Sequence, residues 1–213
     1  MNCSNLCKFF GRFAALVTGI VAISSLAGAA QPPARPNIVL IFADDLGWKD
    51  TGYQGSDFIE TPNIDRLAKE GMVFTAGYAA AGNCAPSRAC LLSGNYTPRH
   101  GVYAVGSTDR GPGNEMRLVP IPNTVGLAKE NITVAEALKT AGYATGIFGK
   151  WHLDGPGGSK PEEQGFDVVF QSTGGWRKNE PENPKGIYSL TKAACEFMEK
   201  NKDRPFFVYL PHY

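Results

Sequence analysis

The sequence has 213 residues, with 21 Lys+Arg against 20 Asp+Glu, a formal net charge of +1, 43% hydrophobic residues and 11% aromatic ones. That length allows one domain whose core can fold without disulfide or metal staples. The even charge balance, with no long basic run, excludes a nucleic-acid binder that works by neutralising phosphates, and the composition excludes disordered, collagen-like and low-complexity chains.

The first 29 residues read as an export signal. Lys8 and Arg12 form a charged start, Phe13 to Leu26 is apolar apart from small residues and Thr or Ser, and Ala27-Gly28-Ala29 offers a small-x-small cleavage site. The apolar stretch is shorter than the roughly 20 residues of a membrane span, so no stable span is expected after cleavage. The protein is expected in a periplasm or outside the cell. Residues 30–213 keep 19 positives against 20 negatives, a net charge of −1. Three cysteines stay with them, Cys84, Cys90 and Cys195. A Cys90–Cys195 disulfide with Cys84 left over and three buried thiols are both open arrangements.

Strand and helix signals then alternate. Asn37 to Ala43 is a continuous apolar, β-branched run, as expected of a strand buried on both faces of a parallel sheet. Thr61 can cap a helix with Pro62 at its first position, Ile64, Leu67 and Ala68 on one face, and Gly71 as terminator. Met72 to Phe74 leads into an extended piece. Pro86 and Gly94 mark the start and stop of a second helix. Thr133-Val134-Ala135-Glu136 is a capping box opening a third helix that stops at Gly142, and Tyr143 to Phe148 reads as a strand. Tyr188 to Lys202 reads as a helix with Leu190, Ala194, Phe197 and Met198 on one face, and Pro205 to Leu210 as a last strand. This rhythm predicts an α/β fold with a mostly parallel sheet. Two Gly/Pro-rich stretches, Gly101 to Asn131 and Leu153 to Gly186, are long for connectors, and loops of that length often line a site.

Polar groups collect at the predicted strand ends, where ligands bind in such sheets. Asp44-Asp45 is either a solvated loop start or a pair of hard oxygen donors for Ca²⁺ or Mg²⁺. Lys150 and His152, two apart after the second strand, point the same way on an extended chain and suit an anion, or are simply exposed. His212 follows the last strand. The most specific feature is Cys84-Ala85-Pro86-Ser87-Arg88. Four fixed residues in that pattern occur by chance in roughly one chain of this length per thousand or two, and they place Cys84 at a helix N-terminus, where amide dipoles favour an anion.

These motifs, with Thr61 to Ala68, Arg99-His100-Gly101 and Gly149-Lys150-Trp151-His152-Leu153, resemble the formylglycine-dependent, arylsulfatase-like sulfatases over Pro36 to His212. The resemblance implies an alkaline-phosphatase-like fold, with the sheet sandwiched by helices, and a sulfuric ester hydrolase. It implies that Cys84 is oxidised to formylglycine by a separate maturation enzyme, with Arg88 supporting it. The aldehyde hydrate carries two hydroxyls on one carbon: one attacks sulfur, and the other loses its proton to expel sulfate, an exit that neither Ser nor Cys provides. Asp44, Asp45 and the residue at 84 would hold Ca²⁺, with Mg²⁺ as the alternative. Lys150 would donate to sulfate, His152 would orient or deprotonate the hydrate, and His212 would protonate the leaving oxygen. Ser172 is a weak match for the family's serine near the sulfate.

The chain departs from the family pattern by lacking a second pair of metal ligands and a C-terminal antiparallel subdomain. It therefore reads as the N-terminal part of a sulfatase catalytic domain, inactive by itself. A phosphate or phosphonate monoester hydrolase of the same superfamily and a non-catalytic binding protein are the alternatives. The expected substrate is a sulfated small molecule or glycan. Asn95-Tyr96-Thr97 and Asn131-Ile132-Thr133 are glycosylation sequons where a eukaryotic secretory pathway applies.

Overall fold

Aliphatic and aromatic residues without interruption form strands, and four of them build one sheet. In the computed structural model, which describes residues 35–109, 111–171 and 183–213, these are β1 (Ile38–Phe42), β2 (Ala144–Phe148), β3 (Val168–Phe170) and β4 (Phe206–Pro211). Their order is β1-β4-β2-β3, and every pairing is parallel. Each strand's carboxyl end therefore faces the same rim.

The helices sort by face. Helices α1 (Pro62–Glu70), α2 (Cys84–Ser93), α3 (Thr97–His100), α4 (Val134–Thr140) and α5 (Ile187–Lys200) follow in chain order. On one side, Ala85, Ala89 and Leu92 of α2 and Ala135 of α4 join Ile147, Phe207 and Tyr209 of the sheet, with Ile38, Leu40 and Phe42 against them. On the other, Leu190, Ala194 and Phe197 of α5 meet Ala144, Phe148, Phe206, Val208 and Leu210. The period-2 alternation of a strand sends successive side chains of β4 to opposite cores, giving the expected α/β fold with helices on both faces. The expected capping box is present: Thr133 Oγ1 accepts from Glu136 N–H, and the Glu136 carboxylate accepts from Thr133 N–H. Glycines end α1 and α2 as expected, Gly94 in the left-handed region at φ 66.

Several expectations need correction. The apolar face of α1 is not covered: Ile64 and Leu67 are exposed, and Thr61 spends its hydroxyl on Gly52 N–H and Asp65 rather than on a helix cap. β1 is not buried on both faces: Ile38, Leu40 and Phe42 are part-buried, and Val39 and Ile41 are exposed. The stretch from Leu153 to Gly186 is not all connector, because it contains β3. The three cysteines among the described residues are free, neither paired nor uniformly buried: Cys90 is buried, Cys84 partly so and Cys195 exposed on α5. The expected export signal, Ser172 and part of the second long stretch lie outside the described residues. Among the described residues no helix is long and apolar enough to cross a membrane.

Candidate active site

Backbone stitching beyond the strand ends builds the site. Lys150 N–H donates to Pro211 O at 2.9 Å, and His212 N–H donates to Phe42 O at 2.8 Å, so the residues following β2, β4 and β1 are locked to one another. Gly149 makes the first of these possible. It sits at φ 142, and a Cβ there would run into the Pro211 carbonyl oxygen. Downstream the chain alternates: Trp151 and Leu153 are buried in the core, Trp151 donating to Ser159 O, while Lys150 and His152 turn away from it.

Arg88 crosses this rim from α2. Its guanidinium is fully buried, donates to Lys150 O at 2.7 Å and His212 O at 3.1 Å, and lies 3.3 Å from an Asp44 carboxylate oxygen. The Phe42 ring lies 5.2 Å away. The other Asp44 oxygen accepts from Lys150 Nζ at 2.6 Å. Burial raises the Asp44 pKa, but the Lys150 hydrogen bond and the charges of Arg88 and Lys150 outweigh it and leave the carboxyl below its usual value. A buried charge set of this kind needs every partner; losing one strands the others.

Cys84 opens α2 on the same rim. A cavity of about 210 Å³ brings together Asp44, Asp45, Asn83, Cys84 and Ser87. Asp45 at φ 55 and His152 at φ 63 both hold a left-handed conformation that side chains with a Cβ rarely adopt. Strain of this kind clusters at functional sites. Burial lowers the His152 pKa first, and the charges of Lys150 and Arg88 lower it further; burial alone lowers that of His212. Both imidazoles are therefore biased toward the neutral form that can accept a proton.

The expected residues thus converge, though not always as expected. Lys150 and His152 do come together, by a left-handed turn at His152 rather than along an extended chain. His212 is tied to the site by its backbone, through Arg88 and Phe42, and its ring nitrogen Nδ1 is buried without a hydrogen-bond partner. The donors beside Cys84 suit a hard divalent cation in kind, but among the described residues no group of three His, Cys, Asp or Glu could hold one, and Ca²⁺ takes six to eight oxygens. Two residues escaped sequence reasoning. Ser87 gave no signal beyond the motif, and Tyr209 hides in an apolar strand.

Comparison with known proteins gives this rim a context. A family model described as Sulfatase matches residues 36–212. The N-acetylgalactosamine-6-sulfatase of dog (Canis lupus familiaris) is 41% identical over 145 residues, which are 68% of this chain and 27% of that protein. Arylsulfatase G of rat (Rattus norvegicus) is 42% identical over 149 residues, 68% of this chain and 25% of that one. A solved structure in complex with its substrate, D-glucosamine-2-N,6-O-disulfate, matches with a TM-score of 0.63 at 30% identity, covering 84% of this chain and 34% of that one. The chain spans about a quarter of the length of those two curated relatives.

Proposed function

The chain belongs to the sulfatase family, and we propose that the protein in its full length is a sulfuric ester hydrolase acting on a sulfated small molecule or glycan. The observation that carries this is the placement of Cys84 at the head of α2, in one cavity with Asp44 and Asp45, while Arg88 one turn on holds Asp44 and the backbones of Lys150 and His212. The relatives named as sulfatases and the glucosamine disulfate complex support a sulfate ester as the reacting group.

Each side chain then has a task. The family works with a formylglycine and a divalent cation; the first, made from Cys84 by a maturation enzyme, supplies two oxygens on one carbon, and the second offsets charge on the sulfuryl oxygens. Asp44, Asp45 and the oxygen of residue 84 would hold the cation, Ca²⁺ or Mg²⁺, with further donors needed to complete its shell. Lys150 binds a sulfate oxygen as a fixed positive charge. His152, biased to its neutral form, accepts a proton from the attacking hydroxyl, and His212, whose lowered pKa makes its protonated form a readier donor, delivers one to the leaving oxygen. Arg88 keeps these groups in register. Residues 1–29 fit an export signal, which would place the protein in a periplasm or outside the cell.

The test is mass spectrometry of the Cys84 peptide from the native host, together with turnover of aryl sulfate and aryl phosphate esters by the full-length protein. Conversion lowers the peptide mass by about 18 Da, from atom counting of thiol to aldehyde. Faster phosphate than sulfate turnover would assign the protein to phosphate monoesters instead. An intact thiol in exported protein with no turnover of either ester leaves a non-catalytic binding protein.

A further inference from the structure

Tyr209 is fully buried in the middle of β4, beside Leu40 of β1 and Ile147 of β2. Its ring packs between those of Phe42, 6.4 Å away, and Phe166, 6.2 Å away. Phenylalanine would serve that packing as well. A buried hydroxyl costs stability unless something compensates it. Burial pushes the Tyr209 pKa up to about 12, while the charge and hydrogen bonding of Arg88 pull against that rise and the Asp44 charge adds to it. The hydroxyl therefore lies against the Arg88–Asp44 pair.

Arg88 has one commitment open. Two of its nitrogens serve Lys150 O, His212 O and Asp44, whereas Nε is buried without a hydrogen-bond partner, and so is the Tyr209 hydroxyl. Both atoms are buried and otherwise unmet, Arg88 acts on the Tyr209 hydroxyl as a hydrogen-bonding neighbour, and both side chains pack beside the Phe42 ring. We infer that Tyr209 is a positioning residue for the hydrolytic reaction: its hydroxyl oxygen accepts from Arg88 Nε–H and sets the plane of the guanidinium. That plane dictates where the two terminal nitrogens point, hence how Asp44 and the Lys150 and His212 backbones are held. Tyr209 touches no substrate; it acts through Arg88. The inference rests on the sulfate ester hydrolase reading.

The test compares wild type with Tyr209→Phe in the full-length, formylglycine-bearing protein with calcium supplied. Loss of the acceptor for Arg88 Nε–H is expected to lower kcat for an aryl sulfate about tenfold, with KM within about twofold, and to lower the urea midpoint, because a buried donor is left unpaired. A fall in kcat at nearly constant KM in the folded variant is what a purely structural role would not produce. In ¹⁵N-arginine-labelled protein, the Arg88 Nε–H resonance should be slow to exchange in wild type and shifted in the variant. A folded variant with wild-type kcat, an unchanged Arg88 resonance or a variant that no longer folds each overturns the inference. Wild-type protein that leaves sulfate esters untouched overturns the functional reading and the positioning role with it, while the Arg88 resonance still reports whether the contact exists.

Discussion

β1 and β4 lie side by side in register from Ile38 opposite Phe207 to Phe42 opposite Pro211, yet their surroundings differ. β4 is buried along its whole length, whereas β1 alternates between part-buried and exposed residues. The reason is coverage. The cluster built on α2 and α4 reaches both strands, but the cluster built on α5 takes in β2 and β4 and stops there. The candidate site straddles this seam. Its carboxylates follow the open strand, and its basic residues follow the covered ones. Arg88 joins the two regions, so packing on one side determines charge placement on the other.

The largest expected effect breaks that join. Arg88→Leu leaves Asp44 short of one cation and two backbone carbonyls unpaired, and should cost about 3–5 kcal/mol in urea unfolding; a cost below about 1 kcal/mol would mean that the two regions are independent. Gly149→Ala probes the covered region. It should cost more than about 1 kcal/mol, because the position needs φ 142 and clearance from Pro211, and at saturating substrate it should also slow turnover through the displaced Lys150.

Acid acts on three groups at once. His100, His152 and His212, the only histidines of the sequence, all have pKa values lowered by burial. The unfolded chain therefore takes up protons first, near pH 6.5, and the folded state only at lower pH. The stability these groups contribute is complete above about pH 6.5 and is lost as pH falls through their lowered folded values. Urea midpoints should drop between pH 7.5 and 5.5, and a flat profile would remove the neutral imidazoles from the account. Thr133→Ala removes the cap of α4 and a hydrogen bond to Gln164 O, with an expected cost of about 1–2 kcal/mol. Leu67→Ser on the exposed face of α1 should fall within about 0.5 kcal/mol of wild type. A larger loss there would show that this face is covered in solution and would erase the contrast between the regions.

Much of this was legible from residue order, for physical reasons. Ile38–Phe42 and Phe206–Pro211 are apolar runs with no competing helical period. Thr133 with Glu136, and Gly94 after Ser93, are local chemistry that needs no tertiary partner. The motif around Cys84 placed the head of α2 correctly. Other features depend on what folds against what. β3 is three residues long, too short to register as a period. The apolar stripe of α1 promised burial that no neighbour supplies among the described residues. The left-handed turn at His152 has no glycine or asparagine to announce it. Tyr209 reads as one more strand aromatic, and only its distance from Arg88 in space, not in sequence, separates it from Phe207.

The two carbonyls that grip Arg88 lie 62 and 124 positions further along the chain. Local turns close in microseconds or less, whereas contacts of such span must wait for long loops to shut. The guanidinium can therefore exchange its water for both carbonyls only after the chain has closed over those two spans.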